Sequence, residues 1–169
     1  MKLSAQEEYG LRCLLHLARC GNGGSLTIPE ISRAEGLSVP NVAKLMRLLR
    51  MGDFVKSARG QSGGYTLARP AADISVAQVM ELLGGPFFSP AFCQRHAGTE
   101  DHCTHAVDCP LRTLWGTVQT VLTAVLGKTT LADLTCAERE MNQRIRDLTG
   151  ALLPLCQREV AEQRARDRV

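Results

Sequence analysis

Residues 37–69 read LSVPNVAKLMRLLRMGDFVKSARGQSGGYTLAR, and this stretch decides the fold. Ser38 stands at a helix N-cap position with a proline just inside, and Val42, Leu45, Leu48 and Leu49 recur at helical spacing, so a buried stripe is expected there. Asn41, Lys44, Arg47 and Arg50 project on the other faces of the same helix. A β-branched strand around residues 54–56, the turn ARGQSGG and a return strand YTLAR then predict a β-hairpin. A hairpin that directly follows a basic helix is a wing. Gly60, Gly63 and Gly64 let its backbone turn sharply and approach a phosphate chain, and Arg59 brings charge to its tip. Neither the Walker spacing nor a dinucleotide fingerprint is present, so the glycines are not a nucleotide loop.

Upstream, residues 28–35 form a short helix that Thr27 caps, with Pro29 in its first turn and Gly36 at its end. Short helix, tight glycine turn and basic helix make a helix-turn-helix, whose later helix enters the major groove. The candidate DNA contacts are Ser38, Asn41, Lys44, Arg47, Arg59, Gly60, Gly63 and Gly64. Before these lies a helix over residues 5–19, capped by Ser4, with Leu11, Leu14, Leu15 and Ala18 on one face. After the wing, Ser75 caps a helix ending at Gly84 and Gly85. From Pro110 a helix of about 17 residues, roughly 25 Å long, is expected. Its apolar residues, Leu111, Leu114, Trp115, Val118, Val121, Leu122, Val125 and Leu126, form a stripe too broad for a lone surface helix, and a second copy of itself is the expected partner.

These elements predict a mainly α fold with a small β-hairpin wing: a winged helix-turn-helix domain over residues 1–84, a cysteine-rich loop over 85–109, a dimerisation helix over 110–135, and a helical, partly disordered extension over 136–169. Charge follows the same division. Residues 1–69 carry ten Lys/Arg against five Asp/Glu, and the remainder carries ten against twelve. A basic first half beside a slightly acidic second half points to nucleic acid. No apolar run approaches the ~20 residues of a membrane span, so a cytoplasmic protein is expected.

The segment FCQRHAGTEDHCTHAVDCP, residues 92–110, gathers three of the seven cysteines and three of the four histidines. Between Cys93 and Cys109 the only aliphatic residues are Ala97, Ala106 and Val107, so packing does not explain the thiols. An odd cysteine count in a reducing compartment argues for metal or redox chemistry over a disulfide framework. The spacing C-x9-C-x5-C lacks the close pairs of structural zinc sites and suits an iron–sulfur cluster. A zinc site completed by His96, His102 or His105, and a metal-free thiol switch, stay open. Cys13, Cys20, Cys136 and Cys156 read as core or incidental residues, and His16 as a helix-surface residue. No C-x-x-C pair, convincing nucleophile–base pair or cofactor fingerprint marks an enzyme.

The N-terminal MKLSAQEEYGLRCLLHLA, residues 37–69, DISVAQVMELLGGP, the cysteine loop and TTLADL together resemble the Rrf-two family of bacterial winged-helix regulators, with IscR-, NsrR- and RirA-like members. The resemblance spans about residues 1–135. It implies a homodimer, operator DNA as partner, and a 2Fe-2S or 4Fe-4S cluster held by Cys93, Cys103 and Cys109 plus one non-cysteine ligand. In some members that ligand is a histidine three residues after the last cysteine, where this chain has Arg112. In others it is an acidic residue near the start of the first helix, given by the partner subunit, and that position falls on Glu8. Glu7, pointing about 100° away, is then expected to matter little to the cluster. The first cysteine gap, nine residues, departs from the family's usual five. The expectation is a transcriptional regulator whose operator binding responds to redox, iron or nitric oxide through the cluster; the alternative keeps the DNA binding and puts zinc or bare thiols in the loop.

Overall fold

The computed structural model describes residues 3–21, 24–58, 63–89, 91–97, 103, 105 and 108–150. Helix α1 spans Ala5–Arg19, α2 Ile28–Glu35 and α3 Val39–Met51; strands β1 (Val55–Ala58) and β2 (Gly64–Leu67) follow, then α4 (Val76–Gly84), α5 (Ala91–Arg95) and α6 (Pro110–Lys128). Residues 138–150 are also helical. The strands pair antiparallel with Val55 opposite Leu67 and Ala58 opposite Gly64. The fold is the mainly helical winged helix the sequence predicts.

Local sequence accounts for the helix starts. At α1, α2 and α4 a Ser or Thr cap sits three residues before Glu7, Glu30 or Gln78, and each pair closes a reciprocal capping box. Ser38 is an exception. It occupies the cap position of α3 in extended backbone, yet its hydroxyl makes no cap hydrogen bond. The residue three places on is Asn41, shorter than Glu or Gln, so no box closes. The strands begin after a tight turn in which Asp53 takes a left-handed conformation, φ 56°, tolerated by an Asx side chain.

The chain forms two compact units. The first holds residues up to Gly85 together with Leu126–Ile145. Its core is built from Cys13, Leu14 and Leu17 of α1, Ile31 of α2, Val42, Leu45, Met46 and Leu49 of α3, then Phe54, Val55, Ile74, Val79, Leu83 and Leu131. Two details differ from the periodic reading. On α1, Cys13 and Leu17 are fully buried while Leu11, Leu15 and Ala18 only pack against the core, because α3, α4 and β2 cover this helix from several sides. On α3, Met46 takes the deep position and Leu48 is half-buried.

Leu131 enters this core from far along the chain. Its N–H donates to Ile74 O at 2.8 Å, and Val76 N–H donates to Thr129 O at 2.9 Å, which ties residues 129–131 beside the start of α4. The Asp133 carboxylate accepts from the backbone N–H and hydroxyl of Thr130, at 2.9 and 2.8 Å, and pairs with Arg144. The backbone hydrogen bond from Thr130 holds the Asp133 carboxyl below its usual value. Within the first unit Leu26 also bridges Tyr65, with N–H to O distances of 3.1 and 2.8 Å, adding a fragment of third strand to the wing.

The second unit comprises Pro86–Val125 and the C-terminal residues from Arg146 on. The expected C-terminal extension is therefore described to residue 150; its remainder, with Cys156, lies outside the described residues.

Leu131→Ala should destabilise the protein by roughly 2–5 kcal/mol, the range for emptying a buried leucine site. Met51→Ala, at a side chain 69% exposed, should stay within about 0.5 kcal/mol of the parent. Urea unfolding followed by circular dichroism measures both.

Candidate nucleic-acid interface and cysteine segment

In the first unit, α3 turns its apolar face inward and leaves Ser38, Val39, Pro40, Lys44, Arg47 and Arg50 exposed, with Asn41 half-buried. Three of the four predicted contacts at this helix, Ser38, Lys44 and Arg47, are thus open to a ligand, and Arg50 is exposed beside them. The turn before α3 is held firmly. Gly36 takes φ +65°, Leu37 N–H donates to Ser32 O at 3.1 Å, and the Ser32 hydroxyl donates back to Leu37 O. Arg12 of α1 reaches the end of α2, its Nε 2.8 Å from Glu35 Oε2 and its Nη2 donating to the Glu35 carbonyl at 2.8 Å. His16 Nδ1 lies 3.5 Å from the other Glu35 carboxylate oxygen. Sequence reasoning missed this cluster and treated His16 as a plain surface residue. Residues 23 positions apart carry no local signal of such a contact.

On the wing, Arg59 and Gly60 lie outside the described residues; Gly63 is exposed. Gly64 has an internal reason to be glycine. A Cβ there would stand 2.7 Å from Leu26 O, inside the Leu26–Tyr65 bridge.

Glu7 and Glu8 differ in role. Glu7 Oε2 accepts from Ser4 N–H at 2.8 Å and its carboxylate crowds Gly84, where a Cβ would meet Glu7 Oε1 at 2.2 Å. Glu7 thus has a local role of its own, as half of a capping box. Glu8 is exposed one residue on, and its charge acts on Arg12, one turn further along α1.

In the second unit, Cys93 sits on the short helix α5, a turn the sequence reading left within the loop. His96 stacks on Phe92, ring centroids 4.1 Å apart, and its Nδ1 lies 2.8 Å from Phe92 O. Phe88 packs on Phe92, and Phe87 meets Trp115 of α6 edge to face at 6.3 Å. Cys109 marks the start of α6, its carbonyl accepting from Arg112 and Thr113 N–H groups at 3.1 and 3.4 Å. Arg112 also reaches His105 O at 3.4 Å. His102 falls outside the described residues.

Cys93, Cys103 and Cys109 are free thiols, each partly exposed. Among the described residues no three His, Cys, Asp or Glu side chains converge on one point. In donor chemistry the three thiols fit a thiophilic group, and they contrast with Cys13. That thiol is fully buried, and burial pushes its pKa up to about 12. Cys20 is exposed; Cys136 is half-buried, its thiol donating to Asp133 O at 2.8 Å.

Helix α6 runs 19 residues without one buried side chain. Leu111, Leu114 and Trp115 are 58, 50 and 37% exposed, an apolar patch that the described residues leave largely open. No described helix is long and apolar enough to cross a membrane.

A family model described as Rrf2, iron-dependent transcriptional regulator, matches residues 3–137. Protein rrf2 of Nitratidesulfovibrio vulgaris is 35% identical over 134 residues, covering 79% of this chain and 87% of the relative. Among solved structures, CymR, the global cysteine regulator of B. subtilis, superposes with a TM-score of 0.65 at 29% identity, covering 80% of this chain and 96% of its own. IscR of T. potens superposes with a TM-score of 0.63 at 29% identity, covering 79% and 85%.

Native protein stripped of metal and treated with iodoacetamide at pH 8 should be alkylated at Cys20 and not at Cys13. A thiol with a pKa near 12 is about one part in ten thousand thiolate at that pH. Peptide mass mapping before and after unfolding reads the difference; Cys13 should react only in denaturant.

Proposed function

The chain belongs to the Rrf2 family and is a DNA-binding transcriptional regulator, not an enzyme; from that premise we propose that an iron–sulfur cluster on Cys93, Cys103 and Cys109 controls its operator affinity. The observation that carries this reading is the placement of the three thiols. They lie in one short segment, partly exposed, with almost no aliphatic neighbours in sequence, whereas the packing cysteine of this chain, Cys13, is wholly buried. The similarity to an IscR supports it. The cluster would supply a redox-, iron- or nitric-oxide-sensitive group; the chain supplies soft ligands for it and the start of α6 beside Cys109.

The working form is a homodimer on operator DNA, in the cytoplasm. The uncovered apolar face of α6 supports self-association, since a face of that width is ordinarily buried. In the dimer Glu8 of the partner subunit would complete the ligand set, and its exposure on the first turn of α1 suits a carboxylate that acts outside its own chain. Helix α3 would enter the major groove, with Ser38 and Asn41 toward base edges and Lys44 and Arg47 toward phosphates; Arg59, Gly60, Gly63 and Gly64 would carry the wing along the backbone. Gain or loss of the cluster orders or releases the cysteine segment, and so shifts the population of dimers whose two reading helices match half-sites one DNA turn apart. A second reading has zinc or bare thiols in the same segment.

Protein purified without oxygen should be coloured, with iron and acid-labile sulfide in equal amounts. Cys93→Ala, Cys103→Ala and Cys109→Ala should each lose the colour, and Cys136→Ala should keep it. Colourless protein carrying zinc, or no metal, would transfer the proposal to the second reading.

Replacing Lys44 or Arg47 by Ala should weaken operator binding and reduce the slope of log affinity against log salt by about one per lost phosphate contact. Fluorescence anisotropy across a salt series measures it; an unchanged slope in both variants would take α3 off the phosphate backbone.

A further inference from the structure

We infer that Val39, at the first position of α3, reads the methyl group of a thymine in each operator half-site. The inference rests on α3 as the reading helix. Val39 is 48% exposed although it belongs to a helix whose other valine, Val42, is wholly buried. It stands among exposed, uncharged neighbours, Ser38 and Pro40, and the first turn of α3 carries no acidic residue. Positive charge begins one turn later, at Lys44, and continues with Arg47 and Arg50. The helix therefore presents two chemistries in sequence. Its basic flank suits phosphate oxygens. Its tip is small, apolar and neutral, which suits an uncharged base edge and would gain nothing from a phosphate.

On the floor of the major groove the thymine C5-methyl is the apolar group that projects furthest, and the N-terminal residues of a reading helix are the ones that reach base edges. A branched aliphatic side chain at that point matches a methyl and offers no hydrogen bond to any other base edge. The neighbouring Ser38 hydroxyl, free of the capping role its counterparts Ser4, Thr27 and Ser75 perform, supplies the polar contact beside it.

The test uses the full-length protein as purified anaerobically and an operator obtained by selection from a random-sequence duplex library. Each thymine is replaced in turn by deoxyuridine, which removes only the methyl, and affinity is measured for the parent, Val39→Ala and Val39→Thr. One thymine per half-site should stand out. Losing its methyl should weaken the parent about fourfold, the value of one buried methyl group, and leave Val39→Ala unaffected. Val39→Thr, which keeps one methyl in the same place, should retain part of the discrimination. If no thymine shows a penalty that vanishes in Val39→Ala, while Asn41→Ala and Lys44→Ala do shift the selected sequence or affinity, the inference about Val39 is overturned and α3 stays the reading helix. If none of the three variants shifts either, the assignment of α3 falls and the inference falls with it. Melting curves matching the parent's establish that an exposed position has been changed without loss of fold.

Discussion

Burial of one face of α3 against α1 is the contact on which the remaining arrangement hangs. Val42, Leu45, Met46 and Leu49 are within 1% of complete burial, against Cys13, Leu14 and Leu17. Each such side chain contributes on the order of 1.5–3 kcal/mol by leaving water. With that face committed inward, the helical period leaves Lys44, Arg47 and Arg50 nowhere to go but outward. The same contact brings α1 to the end of α2, where Arg12 grips both the carboxylate and the carbonyl of Glu35. The turn that sets the angle between α2 and α3 is thus held by a charge pair as well as by Gly36.

The first unit is closed by a segment from far downstream. Residues 129–131 pair with the residues around Ile74 and Val76, and Leu131 completes the core. Because α6 precedes this strap in the chain, the cysteine segment and the long helix form an excursion whose two ends are both fixed in the DNA-binding unit. Residues Gly85 and Leu126 are its gates.

Thiol placement separates two uses of cysteine. Cys13 behaves as a small apolar residue, raised in pKa by burial and removed from chemistry. The loop cysteines Cys93, Cys103 and Cys109 are free and partly exposed. Metal-binding thiols need that access, since the thiolate is the ligand and a closed apolar pocket opposes its formation.

Much of this was legible in the residues alone. Caps, glycines and the apolar period located five helices to within a residue or two, and the basic helix followed by a glycine-rich hairpin identified the winged helix. Cysteine spacing singled out the segment with soft ligands and few aliphatic neighbours, residues 92–110. These are local signals, set by backbone sterics and by periods of 3.6 and 2. What tertiary structure decided is everything that joins distant residues. Arg12 with Glu35, Leu131 in a core built mainly from residues 13–83, and Gly64 against Leu26 all depend on contacts across long stretches of chain, where composition and period are silent. For Glu7, likewise, the reciprocal bond to Ser4 and the closeness of Gly84 come only from the folded chain. A one-dimensional pattern specifies which face of a helix is apolar. Only the packed chain specifies what that face meets.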